Sequence, residues 1–119
     1  FVRQTAQRLH VTLLISGKTD FISNGNYHVA LSNGCEELGK ITGTGCMLGA
    51  LCAAFIPCGS SYMSATLAAA VMGICGEKAK AQNPAGLASF QTALLDNIST
   101  ITDEDIINAV KIDSPHTFI

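Results

Sequence analysis

At 119 residues and 48% hydrophobic composition, the chain is long enough to bury one core and too short for two. Charged residues make up 13%, about half of the roughly 25% usual in soluble domains, so part of the surface is expected to be covered by further chain, a partner subunit or lipid. Seven Lys and Arg against nine Asp and Glu give a net charge of −2 with no basic cluster, which excludes the electrostatic footprint of a nucleic-acid-binding protein.

Residues 2–9 read as the end of a helix begun upstream, because the helical pattern starts with no capping residue before it, and the natural protein is expected to extend further in that direction. No signal peptide is expected, since Arg3 and Arg8 sit among polar residues with no apolar stretch before a cleavage site. Residues 11–16 form a short continuous apolar run, the mark of a strand buried on both faces, and Gly17 ends it. Residues 21–23 and 27–31 flank Asn24-Gly25-Asn26, whose tolerance of positive φ predicts a hairpin. Three strands result, the last two antiparallel.

A polar loop over 32–40 follows, and then the texture turns small and apolar. Helices are predicted over 43–55, over 60–81 and from 84 or 85 to 95, with breaks at Pro57-Cys58-Gly59 and Asn83-Pro84. Thr102-Asp103-Glu104-Asp105 opens a last helix to about Lys111, with Thr102 as N-cap and acids where the helix dipole favours them. The tail 113–119 is expected to fray. The longest apolar stretches, 47–57 and 65–75, fall short of the roughly 18 residues that span a bilayer, which favours two buried helices. Cys35, Cys46, Cys52, Cys58 and Cys75 are odd in number and contain no Cys-x-x-Cys pair, so they read as reduced, buried thiols of a cytosolic protein rather than a disulfide frame or zinc site.

Chemistry concentrates in Lys40-Ile41-Thr42-Gly43-Thr44-Gly45-Cys46-Met47, a polar loop that runs through two glycines into an apolar helix. Glycines without Cβ let a phosphate approach the main chain, and the unpaired amides of Thr44, Gly45 and Cys46 would point at it, aided by the positive helix end. The competing reading is a plain glycine-rich helix start that binds nothing and serves close packing. Two other phosphate motifs fail. Gly34-Cys35-Glu36-Glu37-Leu38-Gly39-Lys40 has P-loop spacing, but Ile41 replaces the magnesium-binding hydroxyl, and two glutamates would sit in the cradle. The dinucleotide fingerprint fails because the turn lacks a third glycine and no acid stands about 20 residues further on.

The stretch 11–20 with its hairpin, then Ser32-Asn33-Gly34, then Ile41-Thr42-Gly43-Thr44-Gly45-Cys46 and the small-residue helices, in that order, resembles the carboxy-terminal part of hydroxyethylthiazole kinase over almost the whole chain. That family is ribokinase-like. The wider group carries a Gly-x-Gly-Asp turn with aspartate as base, and the thiazole kinases resemble it but carry cysteine there, as Cys46 does. The resemblance implies an α/β fold, the carboxy-terminal part of a ribokinase-like three-layer domain spanning 1–119, with one strand in the central sheet, a hairpin beside it and three or four helices on one face. It implies transfer of a phosphoryl group from ATP, with magnesium, to 5-(2-hydroxyethyl)-4-methylthiazole in thiamine biosynthesis and salvage. Gly43 falls where the family contacts the thiazole, and Ser16 where it contacts ATP, usually through threonine. Further contacts, magnesium ligands included, are implied upstream, with active sites between the subunits of a cytoplasmic homotrimer. Fungal relatives carry this module behind a thiamine-phosphate synthase domain, and the ending is compatible with that.

Physically, a helix N-terminus favours the Cys46 thiolate, which would let it take the alcohol's proton; the bland alternative is a packing thiol. Thr42 and Thr44 are second choices as hydroxyl donors, though threonine beside glycine is as often turn chemistry. Asp20 is read as capping its turn rather than orienting nucleotide, and His10, His28 and His116 are set aside as isolated. Two competing functions remain: another ribokinase-like kinase, such as one for hydroxymethylpyrimidine, which normally carries aspartate at this position, and a membrane-associated helical hairpin of the small-residue helices.

Overall fold

The computed structural model describes residues 1–113. Helix α1, Val2–Leu9, ends at His10 in the left-handed conformation, φ 56°, and the Val11 amide closes the last turn on the Ala6 carbonyl. Because Val11 is spent on that closure, β1 starts later than the apolar run suggests and spans Leu13–Ile15. Strands β2, Asp20–Ser23, and β3, His28–Leu31, complete a sheet of order β1-β2-β3 in which both pairings are antiparallel. The hairpin forms as the sequence predicts. Asn24 Oδ1 accepts from the amides of Asn26 and Tyr27 at 2.9 and 2.8 Å, an Asx turn made by the side chain itself.

Register decides which face is buried. Leu14 pairs with Ile22 and Ile22 with Val29, and this row packs against Ala65, Ala69, Ala70 and Ile74 of helix α3, Ser61–Ala81. The alternate pair, Ile15 and Phe21, stays 40% and 45% exposed. Helix α1 leans on β1 and β2 and contributes nothing to that cluster.

The predicted loop 32–40 contains a 3-10 turn over Glu36–Lys40. Helix α2, Thr44–Phe55, and a 3-10 turn, Ile56–Cys58, lead to α3, whose N-cap Ser60 accepts from the Met63 amide at 3.2 Å. Helix α3 is buried on two sides, by the sheet and by a second cluster of Val71, Met72, Cys75 and Ala79 with Phe90 and Leu94 of α4, Leu87–Thr100. The expectation of two buried helices therefore holds for α3 alone. Helix α2 buries no residue fully, because Met47, Leu48, Leu51 and Phe55 lean on the second cluster while its opposite side is exposed among the described residues. The cysteines follow suit: Cys75 is buried, Cys35 and Cys52 are partly so, and Cys46 and Cys58 are exposed, against the expectation of buried thiols.

Helix α4 runs past its predicted end at Leu95, since Asn97, Ser99 and Thr100 return hydrogen bonds to carbonyls at Ala93 and Asp96. Helix α5, Asp103–Ala109, is capped by Thr102 and Asp105 in a reciprocal box, as the acids and threonine predict. It stops short of Lys111 because the next residues pair with β3: Ser32 N–H donates to Lys111 O at 3.1 Å and Asp113 N–H to Ala30 O at 2.8 Å. Asp113 is thus held, and the rest of the tail expected to fray, residues 114–119 with His116, lies outside the described residues. Among the described residues no helix is long and apolar enough to cross a membrane, which removes the footing of a spanning hairpin.

Candidate active site

A cavity of ≈ 840 Å³ opens between the sheet's end, the glycine turn and α3. That volume suits a small-molecule ligand. Its walls are residues 16–20 after β1, residues 32–36 after β3, Leu38 and Gly39 of the 3-10 turn, Thr44, Gly45 and Leu48 of α2, Met72 and Gly73 of α3, and Asp113. Of the residues singled out from sequence, Ser16, Thr44 and Gly45 line this one space, although 28 positions separate Ser16 from Thr44 in the chain. Gly43, Cys46 and Thr42 do not line it; all three are exposed beside it.

Gly43 supplies the turn. It is the N-cap of α2 at φ 95°, a left-handed value that penalises any Cβ, and no side chain caps this end. The first helical bond of α2 runs from the Met47 amide to the Gly43 carbonyl at 2.9 Å, so the amides of Thr44, Gly45 and Cys46 precede the helical ladder. With Gly45 on the cavity wall and nothing within 4 Å of where its side chain would begin, an anionic oxygen has room to reach this main chain. Thr44 Oγ1 donates to the Leu38 carbonyl at 3.0 Å, so its hydroxyl secures the turn to the preceding loop rather than standing free as a donor. Cys46 is exposed one residue further on.

Across the cavity, the Gly17 amide donates to Asp20 Oδ1 at 3.0 Å, which bears out Asp20 as the cap of its turn and shapes the loop that presents Ser16. Burial pushes the Asp20 carboxyl above its ordinary range, and the Gly17 amide partly opposes this. Lys18 is a cation on the cavity wall, facing a set of walls that also contains Asp20, Glu36 and Asp113. Sequence reasoning did not select Lys18 or the Ser32-Asn33-Gly34 wall, although the latter stood in the quoted pattern. Among the described residues no three His, Cys, Asp or Glu side chains cluster as metal ligands, and Asp20 and Glu36 are engaged with Gly17 and Lys40.

Residues 1–104 match the sequence model of the Hydroxyethylthiazole kinase family. Hydroxyethylthiazole kinase 2 of Clostridium botulinum strain Langeland is 46% identical over 99 residues, covering 83% of this chain and 37% of that protein. Hydroxyethylthiazole kinase 1 of Clostridium botulinum strain Loch Maree is 41% identical over 113 residues, covering 95% and 42%, and hydroxyethylthiazole kinase of Methanocella arvoryzae is 38% identical over 113 residues, covering 94% and 42%. A solved hydroxyethylthiazole kinase protein from Pyrococcus horikoshii superposes with TM-score 0.88 at 32% identity, over 94% of this chain and 44% of its own. The chain thus spans about two fifths of the length of the curated relatives it matches.

Proposed function

The chain belongs to the hydroxyethylthiazole kinase family, and from that premise we propose that it forms the carboxy-terminal part of a kinase domain that phosphorylates 5-(2-hydroxyethyl)-4-methylthiazole with ATP in thiamine biosynthesis and salvage. The observation that carries this reading is the meeting of Ser16, Thr44 and Gly45 on one cavity, with main-chain amides ahead of the helical ladder at the mouth of α2.

The alcohol oxygen attacks the γ-phosphorus as the bond to the bridging oxygen breaks, and ADP leaves. The amides of Thr44, Gly45 and Cys46 stabilise the moving negative charge, a task that preorganised donors perform without reorganising during the reaction. Ser16, at the end of β1, contacts the nucleotide through its hydroxyl, and Gly43 gives the thiazole ring room against the main chain. Cys46 takes the alcohol's proton, a role supported by its place in the first turn of α2 and by its exposure. Thr42 remains a second choice as a hydroxyl donor. Magnesium would be held by the nucleotide's phosphates and by residues outside this chain. The uncovered side of α2 and the exposed Ile15 and Phe21 support a larger assembly, read here as a cytoplasmic homotrimer with sites shared between subunits.

The test is phosphorylation by the complete protein of the thiazole alcohol and of hydroxymethylpyrimidine, with ATP. Preference for the thiazole is expected, and preference for the pyrimidine would reassign the substrate. Gly45→Val should cut turnover by about 100-fold with little loss of stability, because the added methyls enter the cavity rather than a packed core. Unchanged turnover would refute the role of the turn.

A further inference from the structure

Asn33 is only 4% exposed, and its side chain makes three hydrogen bonds within the fold. Nδ2 donates to Glu77 Oε1 at 2.8 Å and to the Ala109 carbonyl at 2.9 Å, while Oδ1 accepts from the Lys111 amide at 2.7 Å. Glu77, on α3, also accepts from the Gly34 amide and, through Oε2, from Lys111 Nζ at 2.7 Å. None of Glu77, Ala109 and Lys111 lines the cavity, whereas Ser32, Asn33 and Gly34 all do. The polar groups of Asn33 are therefore bonded to residues outside the cavity, and they fix the loop that forms its wall.

Packing fixes the same wall from α3. A Cβ on Gly73 would lie 2.6 Å from Asn33 Cβ and 2.8 Å from its carbonyl carbon and oxygen, so the helix and the loop are in direct backbone contact. Simple packing would be served by apolar side chains at least as well, since burying an amide against a carboxylate brings a desolvation cost. What the polar pair adds is direction: each bond fixes the loop's orientation as well as its distance.

Resting on the kinase reading above, we infer that Asn33 and Glu77 are a positioning pair for nucleotide binding: they lock the 32–34 wall of the cavity to α3 and to the segment after α5. The wall is a different segment of the cavity from the glycine turn whose amides serve the chemical step, so its displacement loosens the nucleotide more than it slows that step.

The experiment uses the complete kinase with Asn33→Ala, Asn33→Asp and the double variant Asn33→Asp/Glu77→Gln. Readouts are ADP affinity by calorimetry, KM for ATP and for the alcohol, kcat, and the thermal midpoint. Asn33→Ala is expected to weaken ADP and raise KM for ATP by about tenfold while kcat and the alcohol's KM stay within about twofold. Asn33→Asp sets two carboxylates against each other and should weaken ADP further; adding Glu77→Gln restores a donor and should recover part of that affinity. Unchanged ADP affinity in folded Asn33→Ala, or a double variant no better than Asn33→Asp, overturns the inference, as do parallel losses in kcat and affinity that follow the unfolded fraction. If the unmodified protein binds ADP but does not phosphorylate the alcohol, the kinase reading fails while the affinities still decide the pair. If it binds no nucleotide, both fail.

Discussion

At Gly43 the backbone alone is at stake. Its φ is 95° and nothing lies within 4 Å of where a side chain would begin, so Gly43→Ala adds strain without a clash. We expect a loss of about 1–2 kcal/mol in urea unfolding, the usual cost of a left-handed alanine. A variant as stable as the parent would mean that the turn relaxes into another conformation. Gly73 is the opposite case, where the φ is ordinary and the neighbour is not: a methyl there meets Asn33 backbone. The two glycines differ in how far sequence reveals them. Gly43 announces itself because it precedes a helix and follows a polar loop, a local pattern. Nothing local in α3 distinguishes Gly73 from the small residues around it, because its reason lies in a loop some forty positions earlier. Asn33 was similarly hidden, since its partners are 44, 76 and 78 positions away.

Between elements, Glu77 joins α3 to the loop after β3 and to the segment after α5. Burial would raise its carboxyl, but hydrogen bonds from Lys111, Asn33 and the Gly34 amide outweigh this and hold it below its ordinary 4.5. A depressed folded value means that acid protonates the unfolded chain first. The stability due to Glu77 is therefore complete above about pH 4.5 and is lost as the pH falls through the folded value. Urea midpoints followed from about pH 7 to about pH 3 should drop more steeply for the unmodified protein than for Glu77→Gln, and parallel curves would remove Glu77 from the account. Element boundaries show the same division between local and distant causes. The hairpin and the cap of α5 were legible because Asn24, Thr102 and Asp105 act on their own neighbours. Helix α5 ends before the point its sequence predicts because Lys111 is drawn into pairing with Ser32, and β1 begins after its predicted start because Val11 closes α1. The pairing of β1 with β2 was missed since an apolar run carries no sign of strand direction.

For the molecule as a whole, the low charge found its explanation in apolar surface left open rather than in a membrane span. Val11, Ile15, Phe21 and Ile56 are 43%, 40%, 45% and 60% exposed, and one side of α2 is exposed among the described residues. The 119-residue chain alone is expected to bind the dye ANS strongly while keeping its helical circular dichroism, and the complete protein to bind it weakly. Equal dye binding would mean that these surfaces stay open in the larger protein. The α/β class and the cavity's glycine turn were readable from order and texture. The cavity itself was not, because it is enclosed by segments that meet only after the chain has folded back on itself.

The bond from the Lys111 amide to Asn33 spans 78 positions, and the one from Asp113 to Ala30 closes the same seam. Contacts so distant in sequence form late and carry the largest loop-closure cost. On the ribosome the glycine turn and α3 would emerge well before the residues that fasten the opposite side of the cavity. The nascent protein thus leaves that side of the cavity unfastened until nearly all of this chain has left the exit tunnel, and a stop codon placed just ahead of Lys111 would keep it in that unfinished state.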